Sequence, residues 1–342
     1  MILRKGKQTL LFQNPPSLIG FGSAVGKTEG EGPLCAEFDC IFTDDTLEES
    51  SFEKAESKLQ QTAIGHALQK AALQEQDIHY ILGGDLLNQC TATAFALRDF
   101  SVPVLGLYGA CSTMALSLGL AGVLTASGAA EAVIAETSSH FCSAERQFRL
   151  PLEYGGQRTP TAQHTATAAG ATVVSAKNDP GAPKLRAVTF GKIQDLNVTD
   201  ANNMGAAMAP AAASTIAAFL QDTGTTPTDY SLILTGDLGK VGSELLRALL
   251  KKDYHIDIRE QHKDCGLLLY DTEKQDMHAG GSGCGCAAAV FNSYVMHRLK
   301  DGRLSRVLLV ATGALMSPTS SMQGESIPSI AHAVLLEKPN LP

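Results

Sequence analysis

The chain repeats part of itself, and a repeat restricts its fold more than any single motif, because both copies must close on the same supersecondary unit. Tyr80-Ile-Leu-Gly-Gly-Asp-Leu86 is echoed by Leu232-Ile-Leu-Thr-Gly-Asp-Leu238. In the first half Cys111 opens a helical stretch and the strand-like Val133-Ile-Ala-Glu-Thr137 follows; in the second, Cys286 opens one and Leu308-Leu-Val-Ala-Thr312 follows at the same separation. A duplicated βα arrangement accounts for both coincidences. The competing reading is chance recurrence of Leu-Ile-Leu-X-Gly-Asp among α/β proteins. The expected units are residues 1–182, holding the Cys111 helix, and 183–342, holding a glycine-rich loop.

Around the repeat, hydrophobic patterning alternates strands with helices, which is the signature of an α/β fold. Strands are predicted at 78–84, 102–107, 132–137, 185–193, 230–235, 266–270, 306–311 and 332–337, and helices at 53–73, 112–127, 210–221, 242–251 and 286–300. Residues 143–165 have no clean period and carry most of the local charge, so they are expected to form a long excursion over the core. Such segments serve as lids or binding loops, or as surface connections and dimer arms.

Several function classes are disfavoured. A formal net charge of -8 without any run of Lys and Arg argues against a nucleic-acid partner. Residues 100–130 lack charge and are long enough to span a bilayer, yet Pro103, Gly106, Gly109 and several Ser and Thr break them into strand, turn and helix. The first residues lack the apolar region of a secretory signal, so neither a signal peptide nor a transmembrane helix is expected. Eight dispersed cysteines read as reduced thiols. Cys284 and Cys286 have no matching second pair, so no metal site is expected, and no cofactor motif appears.

Three features carry chemistry. In Leu105-Gly-Leu-Tyr-Gly-Ala-Cys-Ser-Thr-Met-Ala115 an apolar run ends in a small-residue turn and a helix begins, which puts Cys111 and Ser112 at a positive helix end. Such a field favours a thiolate or holds an anion; a small buried apolar cysteine is the plain alternative. Ala279-Gly-Gly-Ser-Gly-Cys-Gly-Cys-Ala287 lets backbone amides of Gly281, Ser282 and their neighbours approach a ligand, or lets a helix pack closely. Glu136-Thr-Ser-Ser-His140 places Thr137, Ser138 and His140 at a strand's carboxyl end, where open α/β sheets bind ligands, though a lone turn histidine is often only hydrogen-bonded.

Gly109-Ala-Cys-Ser-Thr113 and Ala279-Gly-Gly-Ser-Gly283 on duplicated halves resemble the thiolase superfamily, in particular its ketoacyl synthase III branch. Further stretches extend a closer resemblance over nearly the whole chain, to the stage V sporulation protein AD family of spore-forming bacteria: Gly83-Gly-Asp-Leu-Leu-Asn-Gln89, Thr137-Ser-Ser-His-Phe-Cys-Ser-Ala-Glu-Arg-Gln-Phe-Arg149, Glu153-Tyr-Gly-Gly-Gln157, Met204-Gly-Ala-Ala-Met-Ala-Pro-Ala-Ala-Ala213 and Ala311-Thr-Gly-Ala-Leu-Met-Ser-Pro318.

The superfamily resemblance implies a five-layer α/β/α/β/α fold with a pocket where the halves meet. Cys111 matches the nucleophile position of condensing members, but Asp237 stands near where a His is required, and Gly280 and Gly281 stand where the Asn turn belongs. His278 and His140 are the only obvious substitutes, at non-matching positions. Catalytic groups act as a unit, so this loss argues against condensation. The closer resemblance implies non-catalytic binding of dipicolinate (pyridine-2,6-dicarboxylate), with or without calcium, for uptake during sporulation and release in germination. It implies a homodimer, peripheral on the inner spore membrane and docked on integral membrane partners. The ligand-binding residues it suggests are Cys111, Ser112, Thr137, Ser138, His140, Gly281 and Ser282, with Arg146 and Arg149 supplying charge to the carboxylates or pairing instead with Glu145 and Glu153. The alternatives are a thiolase-like acyltransferase using Cys111 with His278 or His140, and a scaffold with a vestigial pocket.

Overall fold

The computed structural model describes residues 1–148 and 158–339. Ten strands carry the architecture. The first five are β1 (Ser17–Val25), β2 (Tyr80–Gly83), β3 (Val104–Gly106), β4 (Ala132–Ser139) and β5 (Ala168–Ser175). The second five are β6 (Lys184–Thr189), β7 (Leu232–Thr235), β8 (His262–Asp264), β9 (Arg306–Ala314) and β10 (Ser329–Glu337). Their spatial orders are β3-β2-β4-β5-β1 and β8-β7-β9-β10-β6. In each set three neighbouring strands run parallel and the other two pair antiparallel. The repeated Gly-Gly-Asp and Thr-Gly-Asp segments therefore lie at the ends of topologically equivalent strands, β2 and β7. The sets join where Lys184 pairs with Ser17, and an N-terminal hairpin extends β6.

Helices complete the layers. The relevant ones are α1 (Phe52–Ala71), α2 (Thr113–Ala126), α3 (Phe141–Phe148), α4 (Met204–Thr223), α5 (Gly239–Tyr254) and α6 (Cys284–Val290). Helix α1 covers β1 and β5 on one outer face; α4 covers β9 and β10 on the other, with α5 packed against α4. Between the two sets lie α2, which touches strands of both, and α6, which rests on β4 and β5. All eight residues of β4 are buried, as expected of strands covered on both faces. The central core includes Met114, Leu118, Val133, Val188, Phe291, Leu309 and Val334; separate outer cores lie beneath α1 and α4.

Close helix contact explains two central strands that hydrophobic patterning does not mark. A methyl group on Gly20 or Gly22 of β1 would stand 2.2 or 2.1 Å from a carbonyl oxygen of α1, and one on Gly170 of β5 would stand 2.4 Å from the Ala288 carbonyl oxygen of α6. Glycine admits the helices and dilutes the β-branched signal by which strands are recognised. Residues 266–270, expected as a strand, instead belong to a short helix, Cys265–Leu269, whose N-cap Asp264 accepts from the Gly266 amide. A run of apolar residues this short has no readable period, so the cap decides.

The expected excursion at 143–165 is also partly regular. Its start lies in α3, where buried Ser143 and Glu145 hide the helical hydrophobic pattern. Its end pairs His164–Thr165 with Gly281–Ser282. Arg149 and Glu153 lie outside the described residues. The charge-free stretch 100–130 divides into β3, a turn and α2. Helix α4 is long and apolar enough to cross a membrane, but 67% of its most apolar window is buried inside the protein.

Candidate functional site

The chain from β3 reaches Cys111 through a turn in which Ala110 takes a left-handed φ of 48°. A 3-10 turn, Ala110–Ser112, then leads into α2. Ser112 Oγ donates back to the Gly109 carbonyl at 2.6 Å and Thr113 Oγ1 to the Ala110 carbonyl at 2.7 Å. The turn is pressed from the other half by β9, where a methyl on Gly313 would lie 2.5 Å from the Gly109 carbonyl oxygen. Cys111 is thus fixed at the seam between the halves, and its residue is 6% exposed.

The opposite wall is built by the end of β7 and the glycine-rich loop. Asp237 is fully buried. Its Oδ1 accepts from Thr312 Oγ1 at 2.9 Å, and its Oδ2 accepts from Ser282 Oγ at 3.2 Å and the Gly283 amide at 3.0 Å. Burial raises the Asp237 pKa, while the Cys111 thiol, Thr312, the Gly283 amide and Ser282 act in the opposite sense. Gln163 Nε2 ties the loop by donating to the Asp237 and Gly281 carbonyls, each at 2.7 Å. The Gly283 amide, expected to face a ligand, is therefore held by the protein's own carboxyl group.

This surrounding reverses the expected effect of the helix end on the thiol. Burial, followed by the Asp237 charge, pushes the Cys111 thiol well above its ordinary range. A helix terminus contributes at most about 2 kcal/mol, whereas full burial moves a pKa by up to about 3–5 units; desolvation wins.

A cavity of about 570 Å³ opens above Cys111 and Ser282. Its first-half wall includes Leu86, Asn88, Tyr108, Glu145, Gln147 and Phe148; the second half contributes Met204 and residues 314–319. Tyr108 Oη approaches the Leu86 carbonyl at 3.3 Å and Asn88 Oδ1 at 3.4 Å, and the Asn88 amide donates to Gln147 Oε1 at 3.4 Å. The rim is thus hydroxyl and amide above a largely apolar wall. Glu145 is the one charged side chain among the described lining residues, and its Oε1 accepts from Thr165 Oγ1 at 2.7 Å.

The other sequence-predicted site residues point elsewhere. Thr137 Oγ1 donates to the Gly84 carbonyl at 2.5 Å, joining β4 to the end of β2. Ser138 Oγ donates to Glu56 Oε1 at 2.9 Å and accepts from Gln60 Nε2 at 2.6 Å. His140 is buried against Phe52, with Nε2 2.7 Å from the Asp45 carbonyl oxygen and Nδ1 accepting from the Cys142 amide at 3.1 Å. Burial lowers its pKa. Gly281 lies beneath the wall, with its carbonyl held by Gln163. Arg146 pairs with Glu53, and not with Glu145. His278 contacts the Thr159 carbonyl oxygen and Asp276. Cys111 and Ser282 alone among the described expected residues border the cavity. Sequence patterning does not single out Asn88, Tyr108 and Gln147, although Asn88 closely follows the repeated Gly-Asp and Tyr108 stands three residues before the cysteine.

No group of three or more His, Cys, Asp or Glu among the described residues is arranged to hold a metal ion. A buried acidic region does lie beneath the first-half wall. Glu136 has no hydrogen-bond partner on either carboxyl oxygen, and burial, with Asp85 and Glu56 adding repulsion, pushes its pKa well up.

Comparison with known proteins agrees with this architecture. The 3-oxoacyl-[acyl-carrier-protein] synthase III of Aquifex aeolicus VF5 is similar over 94% of this chain and 99% of its own, with a TM-score of 0.57 and 17% identity. The cerulenin-bound OleA structure from Xanthomonas campestris is similar over 95% and 97%, with a TM-score of 0.60 and 15% identity. At these identities the likeness establishes the fold. The family described as Stage V sporulation protein AD matches residues 6–337, and the Bacillus subtilis (strain 168) protein of that name is 45% identical over 333 residues, 97% of each chain. With repeat, cysteine turn and glycine loop all inside the matched span, the chain belongs to the stage V sporulation protein AD family, sporulation proteins built on a thiolase-like fold.

Proposed function

We propose that the chain is a non-catalytic binding protein for dipicolinate, alone or with calcium, within a spore-membrane transport assembly that takes up the ligand in sporulation and releases it in germination. The observation that carries the non-catalytic part is that Asp237 takes the Gly283 amide of the glycine-rich loop facing the cysteine turn. Condensation needs a donor that stabilises developing negative charge beside the nucleophile, and this amide is already committed to a side chain of the protein itself. The candidate substitutes are also out of place, because His140 and His278 are committed to other contacts. Among the described residues no histidine lines the cavity beside Cys111.

For a small planar dicarboxylate the cavity offers an aromatic side chain, Tyr108, and neutral polar groups from Asn88, Gln147 and Ser282. Its described wall carries no Lys, Arg or His, so a dianion entering alone would lose hydration without an opposite charge in return. A calcium ion entering with the carboxylates offsets that cost, and oxygen donors suit it. Docking on integral membrane partners at the inner spore membrane belongs to the same proposal, since α4 is largely committed to the core. So does a homodimer.

Isothermal calorimetry with dipicolinate, and separately with its calcium chelate, tests the ligand. Saturable heat with either one is expected. Absence of saturable heat with both at millimolar ligand overturns the reading.

A further inference from the structure

We propose that the N-terminal hairpin, with the chain just beyond β6, is a basic patch that docks on an anionic lipid surface. The hairpin pairs Ile2–Lys5 with Thr9–Phe12 and turns through Lys5-Gly6-Lys7. Leu3, Arg4, Lys5 and Lys7 are all exposed. Gly6 takes a left-handed φ of 55°, and a methyl group on it would lie 1.7 Å from Asp222 Oδ1 near the end of α4. Thr9 Oγ1 donates to Asp222 Oδ2 at 2.9 Å, and Gln8 Nε2 donates to the Phe190 carbonyl at 3.0 Å. The turn is therefore seated on the body of the protein. Two residues beyond Phe190, exposed Lys192 adds a fourth cation.

These four cations stand apart because the chain gives them no partner. Among the described arginines, Arg4 alone makes neither an ion pair nor a side-chain hydrogen bond; each of the others holds a carboxylate, a carbonyl or an imidazole. Lys5, Lys7 and Lys192 likewise make neither among the described residues. The acids against these segments are held elsewhere: Asp222 accepts from Thr9, and Asp195 accepts from the Asn197 amide and Ser326 Oγ. Exposed apolar side chains accompany the charge. Leu3 shares a strand face with Lys5, since alternate residues point the same way, and it is 39% exposed; Ile193, next to Lys192, is 62% exposed. A lipid headgroup layer suits that mixture, with phosphates for the cations and an acyl boundary for the apolar ends. A nucleic-acid backbone offers the apolar ends nothing. The rest of the molecule is acidic, with a formal net charge of -8 overall, so an anionic surface repels it and attachment is oriented through this patch. None of these residues borders the cavity described above, so the docking does not depend on what the cavity binds.

Co-sedimentation of the full-length protein with vesicles tests this, using phosphatidylcholine alone or phosphatidylcholine mixed equally with phosphatidylglycerol. Binding to the mixed vesicles is expected, with little to the neutral ones. Each Lys or Arg brought to an anionic surface strengthens binding about fivefold, so Arg4→Gln with Lys5→Gln should weaken it about twenty-five-fold. Lys27→Gln with Lys240→Gln removes the same charge from exposed positions outside the patch and should leave binding within about twofold of wild type. Raising NaCl from about 0.05 to about 0.5 M should release the wild-type protein through screening. Failure of the wild type to prefer the anionic vesicles overturns the proposal, as does an equal loss in the two double variants, which would trace binding to net charge alone. Binding of soluble polyglutamate without binding of vesicles would assign the patch to an acidic protein and overturn it too. No outcome here bears on the calorimetry with dipicolinate.

Discussion

Gly84 shows how one residue governs the approach to the site. Its carbonyl accepts from Thr137 Oγ1 at 2.5 Å, and a methyl group on its Cα would lie 1.9 Å from the Leu107 carbonyl oxygen. That obstruction is backbone, on the segment that leads through Tyr108 to Cys111, so relief requires the cysteine turn to move. Gly84→Ala is expected to cost about 1–3 kcal/mol of stability, the usual range for overpacking, and to weaken ligand binding as well. Gly65 is the internal contrast. It lies on the exposed face of α1, and a methyl group on its Cα would meet nothing within 4 Å, so Gly65→Ala should add up to about 1 kcal/mol through helix propensity. Urea titration of the two variants checks the pair; an undisturbed Gly84→Ala protein would contradict the close approach.

Among the elements, β3 is the edge of the first set, and its three residues are all exposed. Val104 and Leu105, with Phe95 and Tyr108 nearby in sequence, leave large apolar side chains 40–53% exposed. An apolar edge with free backbone groups invites strand pairing, and two copies of β3 meeting across a two-fold axis would satisfy both the backbone and the side chains. Leu105→Lys is therefore expected to shift a dimer toward monomer in sedimentation velocity; a wild-type chain that sediments as a monomer at high concentration removes this role for β3. Element by element, much of the fold was legible. The helices α1, α2 and α5 and the strands β2, β4, β7 and β9 follow clear apolar periods, and the repeated Gly-Asp segments led to the duplicated topology. The glycine-rich β1 and β5 were not legible, because their sequences answer to helices packed 2.1–2.4 Å from an added methyl group. The site was legible at Cys111 and Ser282, where turn chemistry is local. Thr137, Ser138 and His140 could not be oriented that way: each sits at the end of β4, and its direction is set by distant partners, namely Gly84, Glu56 and Asp45.

Across the whole molecule, buried acids make stability depend on pH in a direction opposite to ordinary acid denaturation. Glu29 and Asp264 are pushed up to about 7 and Glu56 to about 8, in each case chiefly by burial, with Asp85 adding repulsion at Glu56. In the unfolded chain these carboxyls release their protons near the ordinary values of 4.5 and 3.8. The folded state therefore binds more protons between those values and about 7–8, and stability falls as pH rises through this window. Buried histidines act in the other sense. His262 and His332 are lowered to about 3 and about 4 by burial, so their contribution is gained as pH rises toward the ordinary 6.5 and is constant above it. Exposed Asp257, lowered to about 2 chiefly by its hydrogen bond from Arg259, matters only at acid pH. The two buried classes oppose each other below about 6.5, and above it the carboxyls remain, so the melting temperature is expected to fall from pH 6.5 to about 8.5. Glu56→Gln removes one of the titrating acids while keeping a carbonyl to accept from Ser138 or Ser143, which donate to Glu56 at 2.9 and 2.8 Å. Its melting temperature should decline less steeply over the same interval. Thermal melts by circular dichroism measure both slopes; a flat or rising wild-type profile, or an unchanged slope in Glu56→Gln, would show that these acids are already ionised in the folded protein.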